Sequence, residues 1–231
     1  MSRCDMPTRA RRADRRGEAL SKETIVHAAI ELLDVEGEDG LTFRTLTARL
    51  ATGAGAIYWH VANKDELLVA ATDVVVAAAL AHEARDATPQ EAIRAVAIGV
   101  FDAIDAHPWV GTQLARAPWR TAMLDIFERI GRRVQALGVP HAGQFTAASS
   151  LVSYILGVAS QNAANAVTAR LHLPDTPRGD FLAAMAAGWA KLDGGAYAFT
   201  RAMAGALRDH DDRTEFLAGI DLILAGIVAA R

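Results

Sequence analysis

Residues 41–68 read LTFRTLTARLATGAGAIYWHVANKDELL, and this stretch decides the fold of the N-terminal part of the chain. Thr42 is a suitable N-cap for a helix of about two turns, which the Thr52–Gly53 pair ends. A second short helix follows around Ile57, and Asn63–Glu66 is an asparagine version of the capping box that opens a longer helix. Two short helices separated by a tight turn predict a helix-turn-helix.

Another helix precedes these two and completes a small core. Ser21 is a suitable N-cap, and apolar residues recur at helical spacing from Ile25 to Leu33 before two glycines end the helix. We therefore expect a three-helix domain over residues 21–68, with the helix-turn-helix motif itself at about 42–61.

The rest of the chain also has a helical pattern. The chain is 52% hydrophobic, and no sustained alternation of β-branched residues indicates a strand. Thr88–Glu91 is a capping box with proline in the first turn, and it starts a helix that reaches about Ala106. Further helices are expected between residues 108 and 117, over 119–137, over 144–167, from about 180 to a break at 193–195, and over 213–230. With nine or ten helices, the sequence predicts an all-α chain in which a long helix from Lys64 joins the first domain to a larger helical domain over 69–231.

The charge of the helix-turn-helix differs from that of the whole chain. The 231 residues include 24 Lys and Arg against 27 Asp and Glu, so the formal net charge is −3 and the chain as a whole is not basic. Between Asp39 and Asp65 the sequence has no acidic residue, and it contains Arg44, Arg49, His60 and Lys64. The motif therefore has a locally positive face, as DNA binding requires.

The remaining composition excludes several classes of protein. The single cysteine, Cys4, leaves no intramolecular disulfide and no cysteine-based zinc cluster, and it fits a reducing cytoplasm. Polar residues interrupt the apolar runs Leu67–Ala81 and Leu217–Ala230, so neither run supplies the roughly 18 clean apolar residues of a membrane span. We expect a cytoplasmic protein without a membrane partner.

Residues 25–68, with LTFRTLTARLA followed by IYWHVANKDELL, resemble the DNA-binding domain of the TetR (tetracycline-repressor) family of bacterial transcriptional regulators. A looser likeness to the regulatory domain of tetracycline-repressor-like members continues through His107–Trp109, Leu156–Gly157 and FLAGIDLILAGI at 216–227. The resemblance implies a homodimeric repressor that binds a palindromic operator in double-stranded DNA. It also implies release when a small, mostly apolar effector enters the C-terminal domain, with no cofactor and no enzymatic activity.

The resemblance assigns roles to individual residues of the helix-turn-helix. Arg44 matches the base-reading position, and an arginine can bind guanine through O6 and N7. Tyr58 and Trp59 match phosphate and sugar contacts, and Lys64 matches the phosphate anchor at the start of the fourth helix, where free amide groups also attract anions. The full predicted DNA-binding set is Thr42, Arg44, Ala54, Gly55, Ala56, Tyr58, Trp59, His60 and Lys64.

Each of these assignments has a structural alternative. Arg44 can be a solvated surface charge, and His60 can simply cap or pack. Aromatic residues at helical spacing, such as Trp59, are often part of a core. The basic segment Arg9–Arg16, in the flexible arm expected at 1–20, can reach phosphates or the minor groove, or it can be a solvated tail.

The sequence departs from the family at Thr52–Ala56, because the start of the recognition helix normally carries longer polar side chains for base edges. Two glycines there cost the helix roughly 1 kcal/mol each relative to alanine. We expect base discrimination to rest on Arg44, on alanine contacts with thymine methyl groups and on DNA shape, with a modest preference for specific over random DNA.

The C-terminal domain combines large aromatic side chains with a few amides, a mixture that is typical of ligand pockets. Tyr154 and Asn162 are eight residues apart on one predicted helix and therefore share a face. By the resemblance, tetracycline is not the expected effector, because the histidines that hold its magnesium chelate align near Leu80 and Gln113. No histidine spacing predicts a metal site. The predicted ligand-binding set, for which ordinary core packing is the alternative, is Trp109, Leu114, Trp119, Phe127, Tyr154, Asn162, Asn165 and Trp189.

The predicted helices at 144–167 and 213–230 are rich in alanine and glycine, which permits close helix packing. The resemblance implies that they form the dimer interface that a two-fold operator requires. Close packing within one chain is the alternative.

Two other classes of function compete with a regulator. An all-helical domain with a pocket can host catalysis, but the sequence has no GxSxG, P-loop or HExxH motif. Tyr58 stands where a dinucleotide-binding motif that begins at Gly53 needs its last glycine. A helical protein-interaction module would leave the acid-free helix-turn-helix unexplained.

Overall fold

The computed structural model describes residues 20–81, 87–172 and 176–230. These residues form α-helices and no β-strand, which confirms the predicted all-α class. The predicted basic arm, apart from Leu20, lies outside the described residues. The helices in chain order are α1 (Lys22–Gly40), α2 (Phe43–Leu50), α3 (Ala54–Tyr58), α4 (Lys64–Ala79), α5 (Pro89–Ala106), α6 (Pro108–Arg116), α7 (Thr121–Ala136), α8 (His141–His172), α9 (Arg178–Ala190), α10 (Ala198–Ala202), α11 (Ala204–Arg208) and α12 (Asp212–Ala229).

The sequence predicts nine or ten helices, whereas the described part of the chain contains twelve. The difference lies in α10 and α11, which have five residues each and contain no buried residue. Without a buried face, neither helix has the apolar periodicity by which a helix is recognised in a sequence.

The described residues divide into two compact units, with the boundary between Ala71 and Thr72 inside α4. The sequence predicts this boundary after residue 68. The first unit contains α1, α2, α3 and the start of α4 around one small core. The buried apolar side chains of that core include Ile25, Val26, Ala29, Leu33, Leu41, Leu46, Ile57, Val61, Leu67 and Leu68.

Local hydrogen bonds fix the ends of the helices in the first unit. The Ser21 side chain caps α1 by accepting a hydrogen bond from the N–H of Thr24 at 3.1 Å. Thr42 and Thr45 form the capping box of α2, in which each side chain accepts a hydrogen bond from the other residue's backbone N–H. Gly37, at φ 71° and ψ −172°, interrupts α1 within its last turn, at the first of the two glycines expected to end it.

The turn of the helix-turn-helix begins one residue earlier than the sequence predicts. Ala51 adopts the left-handed conformation with φ 48°, and the N–H of Thr52 bonds the carbonyl of Thr47 at 3.1 Å. Helix α3 ends at Tyr58 and is shorter than expected, so Val61 lies beyond it but remains buried. The tight turn is thus made by the end of α2 itself.

The second unit is a helical bundle in which α8 packs against α5, α6, α7 and α12, and α5 also contacts α6, α7 and α12. Helices α9, α10 and α11 pack mainly on one another. The largest fully buried side chains of the second unit are Ile93, Ile104, Ile126, Ile130, Leu151, Ile155 and Phe216. Predicted helix starts at Thr88 and Pro108 are confirmed, whereas α8 is longer than the predicted 144–167.

Among the described helices, α8 is long and apolar enough to cross a membrane by length and composition alone, with a mean hydropathy of 1.2 over 18 residues of His141–Ala169. Residues along one face of α8 are buried in the second unit, including Leu151, Ile155 and Ala159. One third of the apolar window is buried within the second unit, and length and composition alone do not distinguish such a helix from a helix of a soluble bundle.

Candidate nucleic-acid interface and ligand cavity

Helices α2 and α3 expose most of the residues that the sequence assigns to DNA binding. Thr42, Arg44 and the Ala54–Ala56 segment are exposed. Within the described residues, the guanidinium of Arg44 has no ion pair and no hydrogen-bond partner. Arg44 therefore presents an unpaired cation with all of its N–H donors available.

The aromatic pair at the end of α3 lies on the surface of the first unit. The ring of Tyr58 stacks on that of Phe43, with centroids 4.4 Å apart and an interplanar angle of 11°, which fixes Tyr58 while leaving it 53% exposed. Trp59 is 87% exposed, so it is not the core residue that its helical spacing allowed. His60 is half-buried.

Two of the four basic residues expected on the positive face have partners within the first unit. Arg49 pairs with Glu31 of α1, with Nε at 2.8 Å from Oε2. The ammonium group of Lys64 donates to the backbone carbonyl of Glu38, which occupies one of its three N–H donors. Glu31 compensates the charge of Arg49, whereas the neutral carbonyl leaves Lys64 charged. The uncompensated positive charge therefore lies at Arg44 and Lys64.

Helix α3 is weakly stabilised and sterically open. Its N-cap, Gly53, provides no side-chain hydrogen bond, and the helix has only five residues. A Cβ atom added to Gly55 would have no described atom within 4 Å. Base edges of DNA can therefore approach the backbone of α3 closely.

The start of α4 is fixed by a set of charge-assisted contacts. Asn63 caps the helix by accepting a hydrogen bond from the N–H of Glu66 at 2.8 Å. The Glu66 carboxylate accepts one from the N–H of Ala62 at 2.9 Å, rather than from Asn63 as in the predicted capping box. This bond, and then the neighbouring Lys22 ammonium at 3.0 Å, lower the pKa of Glu66 below its usual value. The contacts hold Lys64 in a defined place.

The second unit contains a cavity of about 400 Å³. Helix α8 contributes Asn162, Asn165 and Thr168 to its wall, and α9 contributes Phe181, Leu182 and Met185. Two of the eight residues predicted to bind a ligand, Asn162 and Asn165, thus lie together at one cavity. The volume lies within the range of about 300–1,000 Å³ that is usual for ligand pockets.

The other six predicted ligand residues lie away from this cavity. Trp109 and Leu114 are buried, Trp119 is 72% exposed, and Phe127 contacts Phe145 with ring centroids 5.9 Å apart. Trp189, on α9, is half-buried.

Tyr154 does not share the cavity with Asn162 although both are on α8. Its hydroxyl donates to the backbone carbonyl of Phe216 at 3.2 Å, and the two rings stack with centroids 5.7 Å apart. Burial raises the pKa of Tyr154 above its usual value. Tyr154 thus joins α8 to α12. The cavity wall is formed by residues nearer the C-terminal end of α8.

Known proteins match both the first unit and nearly the whole length of the chain. Residues 25–71 match the family model for bacterial regulatory proteins of the tetR family. The transcriptional regulator SCO7222, a TetR from Streptomyces coelicolor, has a solved structure that is 56% identical to this chain. That match covers 91% of this chain and 98% of SCO7222, with a TM-score of 0.82. The chain belongs to the TetR family of transcriptional regulators.

Curated TetR-family relatives match shorter parts of the chain. An HTH-type transcriptional regulator of Saccharopolyspora erythraea is 29% identical over 142 residues, which are 61% of this chain and 60% of the relative. The class D tetracycline repressor of Escherichia coli is 47% identical over 49 residues, or 21% of this chain and 22% of the repressor. The chain thus spans less than two thirds of these relatives' lengths. All three relatives are named as regulators or repressors, which favours a regulator over the enzyme and interaction-module alternatives.

Proposed function

We propose that this TetR-family protein is a DNA-binding repressor that responds to a small molecule and acts in the bacterial cytoplasm without a membrane partner. The observation that carries the proposal is the face of the first unit on which Arg44, Tyr58 and Trp59 are exposed. Arg44 has no partner within the described residues and Trp59 is 87% exposed, so neither has an evident stabilising role in this unit, whereas both residue types bind nucleic acid.

The proposed contacts divide into base-reading and backbone-positioning groups. Two N–H groups of the Arg44 guanidinium can donate to O6 and N7 of a guanine in the major groove. Tyr58, Trp59 and the remaining donors of Lys64 contact the sugar–phosphate backbone, and Thr42 and His60 border this surface. Ala54 and Ala56 offer methyl groups for thymine, and Gly55 permits close approach.

This arrangement predicts modest sequence specificity, because one arginine carries most of the direct readout. We expect the affinity for an operator to exceed that for random DNA by less than about a million-fold, a value near the top of the usual range. Competition binding of a labelled operator against random duplex DNA at fixed salt measures the ratio. A ratio above that value would contradict the assignment of α3 as a helix with few base contacts.

The proposed DNA-binding form is a homodimer on a palindromic operator. Helices α8 and α12 support this, because they carry exposed apolar side chains, with Leu222 76% exposed and Val167 and Val228 both 37% exposed. A contiguous exposed apolar patch often marks a protein–protein interface, and in the proposed dimer these side chains form part of one. Analytical sedimentation is expected to give a dimer at micromolar concentration, and a monomer would contradict the proposal.

The proposed response requires that effector binding in the cavity of the second unit changes the position of α4. Asp73, in the part of α4 that belongs to the second unit, accepts a hydrogen bond from the N–H of Ala122 at the start of α7, at 3.1 Å. Burial is the main cause of the raised pKa of Asp73. A rearrangement of the second unit on ligand binding can therefore move α4 through this contact.

Coupling of this kind must be reciprocal. If the effector weakens operator binding by a given factor, the operator must weaken effector binding by the same factor. Calorimetric titration of the effector with and without saturating operator measures both. Equal effector affinity in the two titrations would exclude release by population shift.

A further inference from the structure

The two long walls of the cavity in the second unit differ in chemistry. Asn162 and Asn165, one turn apart on α8, place two amide groups along one wall. Phe181, Leu182 and Met185 form an apolar wall on α9, and Leu182 is only 7% exposed. A molecule that fills this space therefore meets hydrogen-bonding groups on one edge and apolar surface on the other.

The charged groups of the cavity compensate one another at one end. The carboxylate of Asp212 contacts Arg178 through Oδ2, and its Oδ1 lies 3.0 Å from Nε2 of His210. Arg178, His210 and Asp212 are also the charged or titratable residues that line the cavity. Because Asp212 engages both neighbours, a ligand that carries its own charge would have to compete with an existing ion pair.

These observations indicate the chemical class of the effector. The inference rests on the proposed function, in which an effector binds the second unit. The geometry points to an uncharged effector with a flat or elongated apolar body and carbonyl or hydroxyl oxygens along one edge. The apolar body packs on Phe181, Leu182 and Met185. The oxygens bond the amides of Asn162 and Asn165, which can both donate and accept. A carboxylate or an ammonium group would find no uncompensated counter-charge in the cavity, because Asp212 already engages both Arg178 and His210.

Three naphthalene derivatives of the same shape test this inference on the full-length protein without DNA. They are 2-acetylnaphthalene, which is neutral with a carbonyl oxygen, 2-ethylnaphthalene, which lacks the oxygen, and 2-naphthoate, which is anionic. We expect equilibrium dialysis to show tighter binding of the ketone than of the carboxylate by at least about tenfold, because the carboxylate loses hydration without gaining a free counter-charge. We expect the ketone to bind about threefold to tenfold more tightly than the ethyl compound, as one neutral hydrogen bond allows.

Two variants connect the preference to the residues. Asn162→Leu is expected to remove the advantage of the ketone over the ethyl compound, whereas Gln161→Leu, at an exposed neighbour that does not line the cavity, leaves it unchanged. Asp212→Asn frees the Arg178 guanidinium and is expected to strengthen 2-naphthoate binding by about tenfold. Freeing Arg178 should not strengthen the binding of 2-ethylnaphthalene, whereas a misfolded variant with exposed apolar surface would bind both compounds more tightly.

Three outcomes would overturn the inference. The first is 2-naphthoate binding to the unmodified protein as tightly as the ketone. The second is a preference for the ketone over 2-naphthoate that Asp212→Asn leaves unchanged. The third is no binding of any probe up to the limit of its solubility. Operator binding is measured separately on the same preparation. Intact operator binding with failed probes rejects only the effector class, whereas the expected probe preferences with no DNA binding reject the proposed function.

Discussion

Replacing Arg44 by alanine is expected to weaken operator binding by about tenfold to a hundredfold, since a bidentate arginine–guanine contact contributes about 1–3 kcal/mol of discrimination. The affinity for random DNA should fall much less, so the ratio of specific to random binding falls as well. The reason is the position of Arg44, which is exposed on α2 and has no partner within the described residues. Fluorescence anisotropy with operator and random duplexes at one salt concentration measures both affinities.

Arg49 provides a matched control on the same helix. Its guanidinium already pairs with Glu31, and the pair is about half exposed, so Arg49→Ala should change folding stability by no more than about 1 kcal/mol. It should also leave the specificity ratio unchanged. Equal losses of specific binding for Arg44→Ala and Arg49→Ala would show that α2 contributes only general positive charge, and the base-reading role of Arg44 would then be wrong.

Gly219→Ala is expected to destabilise the second unit by about 1–3 kcal/mol or more, the usual cost of overpacking a core. The added Cβ would lie 1.8 Å from the hydroxyl oxygen of Tyr154 and 2.4 Å from Cζ. Tyr154 cannot move aside cheaply, because its hydroxyl bonds the carbonyl of Phe216 and its ring stacks on that side chain. Urea unfolding monitored by circular dichroism measures the loss as a lower midpoint.

The control for this substitution is Gly131→Ala in α7. A Cβ atom at Gly131 would have no described atom within 4 Å, so the change only replaces a helical glycine. We expect it to stabilise the protein by about 0.5–1 kcal/mol. If Gly219→Ala is as stable as Gly131→Ala, the close packing of α8 on α12 through Tyr154 is not as described.

The sequence predicts the parts of the fold that depend on neighbouring residues. The caps at Ser21, Thr42 and Thr88 follow from side chains that bond backbone groups three residues away, and all three are present. The cap at Asn63 is present too, although the reciprocal bond of Glu66 goes to Ala62. Such rules work because the bonded groups are close in sequence.

Features that depend on distant residues are not visible in the sequence. The partner of Arg49 is 18 residues away and that of Lys64 is 26 residues away. The sequence alone therefore does not show that Glu31 compensates the charge of Arg49 or that one donor of Lys64 is occupied. The cavity combines α8 with α9 and the start of α12, and nothing in the local pattern indicates that Arg178, His210 and Asp212 meet. Tyr154 shares a helical face with Asn162 but turns toward Phe216, which the spacing on α8 cannot show.

The most direct test of the account is selection of bound fragments from a random duplex DNA library by the purified protein, followed by a salt titration on the enriched sequence. The account predicts a palindrome whose half-site centres are one helical turn, or a multiple of it, apart. It also predicts an affinity that falls linearly with salt on a logarithmic scale, as counterion release requires. No enriched sequence, or binding that salt does not weaken, would contradict the assignment of this helix-turn-helix as a DNA-reading surface.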